Sequence, residues 1–244
     1  MRIFYRPIYR VSVENTTIEL WVTKRKLPFF MHADAIIAPV APDLKMVSGI
    51  AKMIRDYGGD AAQYEANKAA PLPPGTAFLG TGGRYRFKYT LLAVIFDEFK
   101  RVTPQNFLLA IRNAMQQARR KGARSIIVPD MTENLLTQPT VITDEQRRET
   151  GATTARLTLD AIVASRGLME VVKVWVWEPA TADLFLQEMK KLETEGWEES
   201  RLLLPAGTDL AALEQPMTPS WIEQGESGKI RHTTLTPVLG DILR

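Results

Sequence analysis

Residues 34–54 read Asp34-Ala-Ile-Ile-Ala-Pro-Val-Ala-Pro-Asp-Leu-Lys-Met-Val-Ser-Gly-Ile-Ala-Lys-Met-Ile54. The apolar run Ala35-Ile36-Ile37-Ala38, closed by Pro39 and Pro42, predicts a buried strand that ends in a loop. Further on, Ile50, Met53 and Ile54 fall on one face at helical spacing, just after Ser48-Gly49. The small hydroxyl of Ser48 suits a helix cap. A strand, a loop and a helix N-terminus in this order direct free backbone N–H groups to one point, the geometry that attracts a phosphate. Many strand-loop-helix units bind nothing, so the geometry names a candidate site and no more.

The pattern repeats outward from this unit. Upstream, residues 2–13 and 17–23 are rich in Ile, Val, Tyr, Thr and Trp and are separated by Glu14-Asn15-Thr16, which predicts two strands joined by a tight turn. The basic Lys24-Arg25-Lys26 that follows reads as a solvated loop. Downstream, the alanine-rich residues 60–70 suit a second helix, which Pro71, Pro73 and Pro74 end. Short and long apolar runs at 76–80 and 89–96 predict two more strands. Thr103 followed by Pro104 is a helix start, and Phe107, Leu108, Ile111, Met115 and Ala118 then share one face up to the stop at Gly122. Residues 125–129 and 171–177 predict buried strands, while 130–140 reads as a loop. Helices are expected over 143–165, with Gly151 as a point of interruption, and over 180–192.

Apolar strands alternating with amphipathic helices require crossover connections, hence a mainly parallel or mixed sheet covered on both faces. The expected fold is a three-layer α/β/α domain over residues 1–197. The proline-interrupted residues 198–244 are expected to be an extension that packs back on the domain or is partly disordered.

Composition narrows the chemistry. The 244 residues are 45% hydrophobic, with 31 basic against 28 acidic side chains and a net charge of +3. This near balance is not a nucleic-acid signature. With no cysteine and two histidines, His32 and His232, thiolate chemistry is excluded and a multi-histidine metal site is not expected. No cofactor is implied. The absence of an apolar leader and of any 18-residue apolar run leads to the expectation of a cytoplasmic protein without a membrane partner.

The order of elements resembles a macro domain, the ADP-ribose-binding α/β/α module, over roughly residues 17–192. Asp34-Ala35-Ile36-Ile37 is similar to the family's Asp-Ala-Ile-Val strand, Pro74-Gly75-Thr76-Ala77 to its Pro-x-Gly-x-Ala segment, and Ser125-Ile126-Ile127-Val128-Pro129 to its Ser-Ile-Ala-Phe-Pro strand. Residues 86–92 and the helix at 108–118 also keep the family's order. By this resemblance the ligand is held by Ala38, Val47, Ser48, Gly49 and Ile50 at the first loop, by Thr132, Glu133 and Asn134 at the second, and by Trp177 stacked on the adenine.

The ligand motifs depart from the family pattern. Ala38-Pro39-Val40-Ala41 stands where the family has Asn-Ala-Ala-Asn, and Met46-Val47-Ser48-Gly49 keeps one glycine of the glycine-rich loop. Methionine and valine resist the positive φ and close approach that a diphosphate demands. Glu133 puts a carboxylate where that diphosphate would lie. The family's adenine-binding aspartate has no counterpart in Val22-Thr23-Lys24-Arg25. The sequence therefore supports a non-catalytic module for ADP-ribose or a related nucleotide diphosphate, or, alternatively, a ligand-free scaffold for protein partners. If it were an enzyme, it would be an ADP-ribosyl hydrolase using Asp43, Asp130 or Glu133 as base, but no catalytic set is expected.

Overall fold

The structure, a computed structural model, describes residues 6–23, 31–135 and 143–196. The expected extension at 198–244 lies outside the described residues. Among the described residues, seven strands form one mixed sheet in the order β1-β2-β7-β6-β3-β5-β4. They are β1 (Tyr9–Val13), β2 (Thr16–Val22), β3 (Ala35–Val40), β4 (Ala77–Thr81), β5 (Tyr89–Val94), β6 (Ser125–Pro129) and β7 (Val171–Val176). The edge strands β1 and β4 pair antiparallel with β2 and β5, and the strands between run parallel.

Helices cover both faces because the strands are apolar on both. Successive side chains of a strand point to opposite sides. Ala35 and Ile37 of β3 therefore enter one core with Leu91, Ile126, Val128 and Val174, whereas Ile36, Ala38 and Val40 enter the other with Leu92, Ile127 and Trp175. The first core is closed by α3 (Pro104–Arg120), α5 (Asp144–Ala164) and α6 (Pro179–Glu195). The second is closed by α1 (Gly49–Gly58) and α2 (Ala61–Ala69). This is the expected three-layer α/β/α domain. No helix among the described residues is long and apolar enough to cross a membrane.

Local signals placed several helix ends correctly. The Thr103 hydroxyl accepts from Asn106 N at 3.1 Å with Pro104 at the first position of α3, and Gly122 leaves that helix at a φ of 81°, where only glycine is unstrained. Thr143 and Gln146 form a reciprocal capping box at α5.

Several expectations need correction; within the strand expected over 2–13, the described residues enter β1 only at Tyr9. The strand expected over 89–96 ends at Val94. Part of the loop expected over 130–140 is a short helix, α4 (Thr132–Leu135), and residues 136–142 lie outside the described residues. Gly151 does not interrupt α5. A Cβ there would lie 2.8 Å from Leu184 Cδ1, so the glycine lets α5 and α6 approach closely.

Candidate functional site

Parallel pairing brings the C-terminal ends of β3, β6 and β7 to one edge of the sheet, and the loops that leave them form the candidate site. The loop after β3 is held from within. Leu44 and Met46 are fully buried, Leu44 turns the chain at a φ of 54° with its N–H bonded to Ala41 O at 2.9 Å, and Met46 N donates to Gln63 Oε1 of α2 at 2.7 Å. Lys45 pairs with Asp43 at 3.2 Å. The chain then surfaces, leaving Val47, Ser48 and Gly49 exposed at the start of α1. Ser48 is extended, and its side chain makes no capping bond, contrary to the sequence expectation. The reason is local geometry: α1 opens with Gly49 at a φ of 52°, so the hydroxyl is not aimed at the first-turn N–H groups as a cap requires.

The loop after β6 meets this helix start. Asp130 N donates to Trp175 O at 2.7 Å, which seats the loop on β7. Asp130 Oδ1 accepts from Thr132 N at 2.9 Å and from Thr132 Oγ1 at 2.6 Å, turning the chain into α4. Burial pushes the Asp130 carboxyl above its usual range; the Thr132 bonds oppose this, while Glu178 and Glu133 push further upward. Asn134 faces α1, since a Cβ on Gly49 would lie 3.9 Å from Asn134 Nδ2. Glu133 is exposed and ion-paired to Arg147, which lies in the opening turns of α5. A hollow of about 280 Å³ opens beside α4, lined by Val102, Leu135, Glu149, Thr150 and Thr153.

The end of β7 supplies the aromatic wall. Trp175 is fully buried, with its Nε1 donating to Thr23 Oγ1 at 2.8 Å. Trp177, two residues on and half-buried, sets its ring 5.4 Å from that of Trp175 at 51°. The inner tryptophan thus fixes the outer one, leaving part of its surface open.

The sequence-derived site residues fall into two groups. Val47, Ser48, Gly49, Glu133, Asn134 and Trp177 present accessible surface around the strand ends. Ala38 of β3 and Ile50 of α1 are buried in the core, and Thr132 is buried with both its N–H and its hydroxyl spent on Asp130, so these three present no open side chain to a ligand. Sequence reasoning did not single out Arg147. It lies 14 residues from Glu133, on a different element, and no spacing rule links them. No group of three metal-ligating side chains occurs among the described residues.

Residues 38–140 match the macro domain family. An uncharacterised protein of Aquifex aeolicus is 30% identical over 102 residues, which make up 41% of this chain and 62% of that protein. For an uncharacterised protein of Aeropyrum pernix the values are 28% over 102 residues, 41% and 54%. The match thus spans less than two thirds of the length of either relative. Among solved structures, the Oceanobacillus iheyensis macrodomain with MES bound superposes with a TM-score of 0.60 at 16% identity, covering 75% of this chain and 96% of that one. The Trypanosoma brucei macrodomain in complex with ADP-ribose gives a TM-score of 0.57 at 15% identity, with 70% and 68% covered. Residues 38–140 therefore carry the macro domain's sequence pattern, and the chain around them has the macrodomain fold.

Proposed function

We propose that this chain binds ADP-ribose or a related nucleotide diphosphate at the C-terminal ends of β3, β6 and β7, without catalysing its hydrolysis. The observation that carries this reading is the meeting of an exposed helix start, Ser48-Gly49, with Asn134 of the opposite loop. Backbone N–H groups at such a helix start favour an anion, and the partly open ring of Trp177 on the end of β7 offers a stacking surface for a base. The macro domain match and the ADP-ribose bound to the Trypanosoma brucei macrodomain support this choice of ligand. The absence of the Asn-Ala-Ala-Asn turn argues against catalysis.

Calorimetric titration of ADP-ribose into the protein and into Trp177→Ala tests the reading. Saturable micromolar binding, weakened in the variant, is expected; flat heats for ADP-ribose, AMP and NAD would sink it. One observation favours a second reading. The inward packing of Leu44 and Met46 fills space beneath the first loop, as in a scaffold that has given up its ligand and serves protein partners. Flat heats would favour that alternative. If hydrolysis does occur, Ser48→Ala and Glu133→Gln should abolish product release from an ADP-ribosylated protein, and an unchanged rate in both would exclude those residues.

A further inference from the structure

We propose that Arg147 is the phosphate-contacting side chain of this cleft, with Glu133 as its internal counter-ion, so that a ligand phosphate displaces the Glu133 carboxylate from the guanidinium. This rests on the reading of the cleft as a nucleotide site and names the group that gives it selectivity for a charged ligand.

In the sequence, Glu133 is an isolated carboxylate in the second loop and argues against an anion there. The structure changes its meaning. Glu133 stands beside Asn134, which faces the start of α1, and its charge is met by Arg147. The bond to Glu133 is the leading reason that the Arg147 guanidinium holds its proton more firmly than usual, with Glu178 and Asp144 adding to the effect. The cation is therefore drawn toward α4 by a surrounding of acids. One turn on, at Gly151, α5 runs close to Leu184 of α6 and lies beside Thr132, which places the start of α5 next to α4. Among the described residues, Lys45 of the first loop is tied to Asp43 within that loop.

Both members of the pair are solvent-accessible, with side-chain exposures of 41% for Arg147 and 50% for Glu133. Exposed ion pairs of this kind hold weakly, so the guanidinium can exchange partners at little cost. A phosphate can accept two parallel N–H bonds from the planar guanidinium and carries more charge than a carboxylate, whereas Glu133 meets Arg147 through one oxygen, Oε1. Where the glycine-rich loop of other macro domains is replaced by Met46 and Val47, a side-chain donor takes over part of the anion contact. The carboxylate that the sequence alone reads as an obstacle instead keeps the cation positioned while the site is empty.

The test is calorimetry of ADP-ribose and of adenosine with the full chain and with Arg147→Gln, Arg147→Lys and Glu133→Gln, alongside thermal melting of each. Loss of a charge-assisted phosphate contact should weaken ADP-ribose binding about tenfold or more in Arg147→Gln. Adenosine affinity should stay within about twofold, because no phosphate is involved. Arg147→Lys should restore part of the loss, and Glu133→Gln, by freeing the cation, should tighten ADP-ribose. Unchanged ADP-ribose binding in Arg147→Gln, or an equal loss for adenosine, would overturn the proposal while leaving the nucleotide site intact. A wild-type chain silent to ADP-ribose beside a binding-competent Glu133→Gln would overturn the proposal, because the ligand would not then displace Glu133. Silence of both toward both ligands would remove the proposal and the nucleotide reading together.

Discussion

Asp34 and Asp130 sit at opposite ends of the β3–β6 strand pair and have opposite chemistry. At the N-terminal end, Asp34 Oδ2 accepts from Arg124 N at 2.9 Å, Ser125 N at 3.1 Å and Ser125 Oγ at 3.0 Å, with Lys88 Nζ 3.7 Å from the other oxygen. Partial burial pushes its carboxyl upward, but the bonds from Arg124 and Ser125 together with Lys88 outweigh this and hold it below the usual range. At the C-terminal end, Asp130 is bonded to Thr132, and burial leaves it above the usual range. The cause lies in the parallel sheet. At its N-terminal end the partly buried Asp34 takes donors from Arg124 and Ser125 that outweigh desolvation, whereas at its C-terminal end Asp130 is deeply buried and the Thr132 bonds do not offset the desolvation. One end is stapled by donors; the other is desolvated.

The largest way to sharpen this contrast separates two neighbouring tryptophans. Trp175→Ala should cost about 3–5 kcal/mol of stability, as for other buried aromatic truncations, read as a shift in the urea midpoint. A cost similar to that of Trp177→Ala would mean that Trp175 is not the support of the site. Next, Asp34→Ala strands the backbone donors of Arg124 and Ser125 and should cost about 1–3 kcal/mol, while ligand affinity stays unchanged. A change in affinity with stability intact would reverse the assignment of the two ends. Trp177→Ala should behave in the opposite way, lowering ADP-ribose affinity by about 1–3 kcal/mol with little change in melting temperature.

Smaller effects follow from titration. The lowered pKa of Asp34 means that its contribution is present above its unfolded-state pKa and is lost as pH falls through the folded value. The raised pKa of Asp130 has the opposite sign: stability is gained as pH falls through its folded value. Asp130→Asn should therefore match or exceed the wild type near neutral pH, and its advantage should shrink toward about pH 4. Urea denaturation at the two pH values measures this, and a constant difference would mean that Asp130 is not desolvated. Smallest of all, Ser48→Ala should change stability by less than about 0.5 kcal/mol, because no side-chain cap is lost; a cost near 1 kcal/mol would show that the hydroxyl caps α1 after all.

Much of the fold was legible because its signals are local. The two-faced strand Ala35–Val40, the Thr103 cap and the Gly122 stop depend on residues a few positions apart, where periodicity and backbone preference act directly. Ser48 and α4 were misread although they too are local. Gly49 opens α1 at a positive φ and the Ser48 side chain makes no cap bond, and the turn into α4 is made by the buried Asp130–Thr132 bonds. Burial at that point is a property of the sheet and not of the tetrapeptide.

The sequence by itself determined the α/β/α layering, the strand-loop-helix unit at 34–54 and the neighbourhood of the candidate site, since hydrophobic period and turn chemistry are carried by adjacent residues. Tertiary structure alone decided that Asn134 faces Gly49, that Glu133 is answered by Arg147, and that Asp34 and Asp130 differ in charge preference. Those outcomes depend on which loops the parallel sheet brings together and on how much water it removes from them, and no spacing along the chain encodes either.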